Sequence, residues 1–102
     1  MENIKIYDFT KSDIAIDINE AKIISKTIIQ RYNSSHSKII IDFSNITISI
    51  SPFMRTLLRP LITNSVDFEG INFGNTKTKD TYQRILEQFE IIGTENIIEL
   101  NN

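Results

Sequence analysis

The chain has 102 residues, 40% hydrophobic and 24% charged, the composition of a single folded domain rather than a disordered tail. A net charge of -2 gives no electrostatic footprint for nucleic acid or an anionic membrane, and the lack of cysteine excludes disulfides, zinc–thiolate centres and thiol catalysis. No apolar run approaches a membrane span and "MENIKIYDF" does not read as a signal peptide, so a cytoplasmic location is expected and the sequons at Asn33 and Asn45 count as chance.

Isoleucine dominates the apolar set and Val66 is the only valine, so isoleucine acts as a default hydrophobe and spacing outranks propensity. Residues 3–9, "NIKIYDF", alternate and read as a strand, with 13–17, "DIAID", as a short partner strand. Asp17 with Glu20 fits a capping box, and Ala21, Ile24, Ile28 and Tyr32 follow at helical spacing, which predicts a helix over 18–33. A polar loop, 33–37, leads to "KIIIDF" at 38–43. Its unbroken Ile39–Ile41 run predicts a central strand covered on both faces. Ser51 as N-cap and Pro52 after it open a helix over 51–65, with Phe53, Leu57, Leu58, Leu61 and Ile62 on its apolar side. Pro60 should kink or shorten that helix. Residues 69–75 read as a short strand. Tyr82, Ile85, Leu86 and Phe89 mark a third helix over 79–92, stopped at Gly93, before a last strand or helical segment at 96–100. Strands alternating with helices of crossover length predict an α/β domain spanning 1–102: a mixed, mostly parallel sheet packed by about three helices.

Little here supports catalysis. His36, the only histidine, lies in a polar loop with no acid beside it to orient an imidazole, and one histidine makes a poor metal site. Glu87, Glu90, Glu95 and Glu99 read as solvated charges, and the segment from Gly70 to Gly74 lacks the lysine of a phosphate loop. Asp42, at the carboxyl end of the central strand, stands where a receiver-type phosphoacceptor would, with Asp8 and Asp13 as acidic company. The simpler reading is that it accepts backbone N–H bonds and closes the turn. That turn carries Ser44, Asn45, Thr47, Ser49 and Ser51 beside a helix start that favours anions, and Arg55 and Arg59 follow one turn apart.

The layout resembles STAS domains, the fold of bacterial anti-sigma-factor antagonists, and more closely a STAS-like family of small bacterial proteins. "Ile41-Asp-Phe-Ser-Asn-Ile46" resembles the central strand ending, "Ile50-Ser-Pro-Phe-Met54" the turn before the following helix, and "Ile85-Leu-Glu-Gln-Phe-Glu-Ile-Ile-Gly-Thr" with Ile97 and Ile98 the helix–glycine–strand ending. The similarity covers roughly residues 14–100. Aligned on Asp42, Pro52 stands where antagonists carry the phosphorylated hydroxyl, so the usual switch is absent unless Ser51 or Ser49 substitutes. The resemblance implies a non-enzymatic regulatory module without cofactor or metal that binds another protein, an anti-sigma-like or histidine-kinase-type ATPase. The surface expected to do so is the joint between the central strand and the next helix: Asn45, Thr47, Ser49, Ser51, Arg55 and Arg59. A homodimer is compatible with this reading. The alternative function is a small-ligand or phosphate sensor using the helix start at Ser51.

Overall fold

The computed structural model describes residues 1–101, and the side-chain surroundings of residues 1–89. In chain order the elements are β1 (Glu2–Lys5), α1 (Tyr7–Thr10), β2 (Ile14–Ala15), α2 (Ile18–Ser35), β3 (Ile39–Asp42), β4 (Ile48–Ser49), α3 (Ser51–Thr63), β5 (Phe68–Ile71) and α4 (Thr76–Asn101). The fold is α/β. Every described strand pairing is parallel, and α1 is a short fourth helix beside the three expected ones.

The main sheet has the order β1-β3-β5, with β3 at its centre as its sequence predicts. Strands that advance in one direction through right-handed crossovers place their helices on one face. That face carries Ile39 and Ile41, which join Ile4, Ile24 and Ile28, Phe53, Leu57 and Leu58, and Tyr82 and Ile85 in one buried cluster. All three isoleucines of the run are buried, as the expectation of cover on both faces requires, although the helices lie on one face. In the register, Ile40 lies between Asn3 and Glu69, both exposed. Ile40 itself is only 6% exposed, and it stands outside the helix-covered cluster. Lys38 and Glu69 form the one ion pair among the described residues, at 3.4 Å.

Several boundaries move for local reasons. The first strand ends at Lys5, and Tyr7–Thr10 coils into α1, closed by Lys11 in the left-handed region with its N–H on the Tyr7 carbonyl at 2.9 Å. Asp17 caps α2 as expected, its Oδ1 accepting from the Asn19 N–H at 2.8 Å and the Glu20 N–H at 3.4 Å. The helix consumes most of the expected loop. His36, exposed and left-handed at φ 54°, ends it by donating its N–H to the Tyr32 carbonyl. Ile50, not Ser51, is the N-cap of α3: it is extended and offers no side-chain cap, while Ser51 is already helical and Pro52 follows within the first turn. The helix runs through Pro60 and stops three residues later, where Asn64 returns its N–H and Nδ2 to the Pro60 carbonyl. The strand expected over 69–75 is β5 alone, and Gly74 lies in the loop after it. Gly93 does not stop α4, whose backbone continues through 96–100.

Candidate functional site

The turn after β3 is held by hydrogen bonds from three directions. Asp42 Oδ1 accepts from the Ser44 N–H at 2.8 Å, from the Ser44 hydroxyl and from Asn72 Nδ2 at 3.3 Å. Asn45 takes the left-handed conformation, φ 66°, and is exposed. The Thr47 hydroxyl donates to Asp13 Oδ2 at 2.6 Å, and the Thr47 and Ile48 N–H groups both reach the Asp13 carbonyl. Asn75 Nδ2 closes the other side on the Thr47 carbonyl at 2.6 Å. Asp13 is thus engaged with Thr47, and among the described residues no three His, Cys, Asp or Glu side chains gather as metal ligands. Asp42 is a turn former.

Burial alone would raise the Asp42 pKa, but the Ser44 hydroxyl and N–H, the Asn72 amide and the Lys5 charge outweigh it and hold the carboxyl below its ordinary value of 3.8. A carboxylate with a depressed folded pKa contributes stability above its unfolded pKa, and that contribution is lost as pH falls through the folded value. The Asp42→Asn variant is therefore expected to lose less melting temperature than the wild type between about pH 5 and about pH 2. Parallel acid melts check this, and identical acid limbs would dismiss the network as a source of pH dependence.

The strand 13–17 does not partner β1. β2 pairs with β4, a strand the sequence did not announce, with Ile14 beside Ile48 and Ala15 beside Ser49. Ala15 is fully buried. On the opposite side Ile14 and Ile48 are 41% and 50% exposed, and Ile16 and Ile50, one residue beyond each strand, are 50% and 40% exposed. Four exposed isoleucines on a two-stranded ribbon form the kind of apolar patch that monomeric surfaces seldom carry without use.

The ribbon leads directly into two helices that pack on each other, β2 into α2 and β4 into α3. Between these helices lies a groove of about 650 Å³, floored by Ile29 and Pro60 and flanked by Lys22 and Lys26 on one side and Arg55 and Arg59 on the other. The two cations on each helix stand four residues apart, so each pair shares a face. None of the four has a carboxylate within ion-pair distance among the described residues, and α3 contains no acid. Ser25 also lines the groove. It is 2% exposed, and its hydroxyl has no partner.

The six residues expected to form one joint surface separate into four places. Arg55 and Arg59 belong to the groove, Asn45 and Thr47 to the bonded turn, and Ser51 to the first turn of α3. Ser49 turns toward the start of α4, where its hydroxyl is closed off from solvent and unpartnered. Lys22, Ser25 and Lys26 were missed, although the four-residue spacing of Lys22 and Lys26 repeats that of Arg55 and Arg59. No family model, curated protein or solved structure matches the chain.

Proposed function

We propose that this protein is a non-enzymatic regulatory module that binds an acidic segment of another protein in the groove between α2 and α3. The observation that carries this reading is the set of four cations facing one another across an apolar floor, none with a carboxylate at ion-pair distance among the described residues. An amphipathic helix laid in such a groove puts its apolar side on Ile29 and Pro60 and its carboxylates on Lys22, Lys26, Arg55 and Arg59. The exposed isoleucines of the β2–β4 ribbon, whose strands precede α2 and α3 in the chain, offer further apolar surface. The STAS-like resemblance supplies the partner class, an ATPase-type regulator. No helix of the described residues is long and apolar enough to cross a membrane, in keeping with a partner met in solution.

The test is direct titration of a purified partner, obtained by in-cell crosslinking, against the wild type and a variant with Lys22, Lys26, Arg55 and Arg59 all changed to glutamate. These side chains are at the surface, so the fold should persist. Affinity should fall by at least about tenfold, and wild-type binding should weaken as salt rises. Equal affinities, or a partner whose contacting segment is basic, would sink the reading.

A further inference from the structure

A second cleft, about 440 Å³, lies between β4 and the start of α4, its lining made by Ile48 and Ser49 with the neighbouring Thr47 on one side and by Lys77, Thr78, Asp80, Thr81 and Arg84 on the other. Two hydroxyls there are costly as they stand. Thr78 is 1% exposed and its Oγ1 has no hydrogen-bond partner, and Ser49 Oγ on the opposite wall is equally closed off and equally unpartnered. A buried hydroxyl without a partner forfeits the hydrogen bonds it made to water, so natural folds rarely keep one without reason, let alone two facing the same space.

The surroundings say which acceptor fits. The cleft sits at the positive end of α4, a helix of 26 residues. The cap residue is fixed in place: Asn75 accepts the Thr78 N–H at 2.8 Å through Oδ1 and donates to the Thr47 carbonyl at 2.6 Å through Nδ2. Thr81 is already satisfied, its hydroxyl on the Lys77 carbonyl at 2.9 Å. Water would quiet the two orphan hydroxyls but gives no reason for the flanking cations. A tetrahedral oxyanion meets all of these features at once, with several acceptor oxygens for Ser49 and Thr78 and negative charge for Lys77 and Arg84.

We propose that this cleft binds one phosphate group, free or carried as a monoester. Asp80, which lines the cleft beside Lys77 and Arg84, leaves a single net positive charge from the side chains, matched to one phosphate rather than a polyphosphate. The volume exceeds one phosphate and leaves room for a small esterified group. The site is at α4, not at the Ser51 helix start of the alternative sensor reading, and it shares no lining residue with the α2–α3 groove.

Inorganic phosphate and phosphoserine, titrated separately against ¹⁵N-labelled protein, test this. Each should give saturable shifts of the Ser49, Thr78 and Thr81 amides that potassium chloride at equal ionic strength does not reproduce. Tighter binding of phosphoserine identifies an ester-borne group, and equal or tighter binding of inorganic phosphate a free one. Arg84→Gln should weaken binding at least about tenfold. Thr78→Val should abolish it while leaving the unliganded protein as stable as the wild type or more so, because the orphan hydroxyl is gone. The groove variant should keep every phosphate shift, which separates this site from the proposed function. Shifts shared with chloride, meaning an adventitious ion only, would overturn the proposal, as would a Thr78→Val protein that binds phosphate like the wild type.

Discussion

Phe43→Ala is expected to cost about 3–5 kcal/mol, a large part of the stability of a domain this size. Phe43 is fully buried just past β3, where its N–H holds the Ile71 carbonyl at 3.0 Å. Its ring stacks on Phe73 at 4.9 Å between centroids and meets Tyr82 edge-on at 5.7 Å, and Phe73 and Tyr82 touch in turn at 5.0 Å. The three rings tie the sheet, the loop after β5 and α4 into one contact, so alanine there leaves a cavity shared by three elements. The floor of the cluster is the backbone of β5: a Cβ on Gly70 would come within 2.8 Å of both Phe73 and Tyr82. Gly70 also donates its N–H to the Tyr82 hydroxyl at 3.0 Å, a bond that fixes where that ring lies. Collapse to fill the cavity would have to break that bond. Urea unfolding measures the loss, and Phe43→Leu, which keeps most of the volume, should cost less than about 1.5 kcal/mol. A similar cost for both variants would mean that the ring contacts, rather than the volume filled, carry the stabilisation.

The elements read correctly from sequence are those whose signal is local. Ala21, Ile24 and Ile28 at helical spacing gave α2, Asp17 gave its start, and the Ile39–Ile41 run gave the central strand. The failures concern partners distant in the chain. A two-residue strand has no periodicity, so nothing in Ile48–Ser49 announces that it will pair with Ile14–Ala15 and turn four isoleucines outward. The run at Ile39–Ile41 is buried throughout, as it read, but its pairing at Ile40 with Asn3 and Glu69, both far off in sequence, was not legible. Ser51 followed by Pro52 carried a real start signal but was displaced by one residue, because Ile50 keeps the extended backbone of β4. The candidate sites were half legible for the same reason. Arg55 and Arg59 were visible as a pair, but only the packing of α2 on α3 sets Lys22 and Lys26 opposite them. Thr78 lies just before the helix expected over 79–92 and drew no attention, since its missing partner is a property of the cleft and not of the chain.

Gly74→Ala is expected to destabilise the fold by about 1–3 kcal/mol, the usual cost of forcing atoms into a packed site. No glycine here has a positive φ, so the requirement at Gly74 is room rather than conformation. A Cβ on Gly74 would lie 2.6 Å from the Ile46 carbonyl oxygen, closer than real contacts allow. A flexible side chain would swing aside, but this oxygen belongs to a turn pinned by Asp42 to Ser44, by Thr47 to Asp13 and by Asn75 to Thr47. The strain therefore moves the loop between β5 and α4 away from the turn. Asn75, the next residue, loses its grip on the Thr47 carbonyl, and with it the cap it gives to the Thr78 N–H. Because β4 and the start of α4 are the two walls of the phosphate cleft, the same variant should also lose the phosphate-dependent shifts of Ser49 and Thr78. Asn75→Ala makes a useful comparison. It removes the clamp without adding a methyl group, should cost about 1 kcal/mol for the lost cap, and should weaken phosphate binding through the same separation of the walls. Thermal melts and phosphate titrations of both variants check the two halves. A Gly74→Ala protein within about 0.5 kcal/mol of the wild type would show that the turn and the loop yield to each other, and that the cleft walls are not held at a fixed distance.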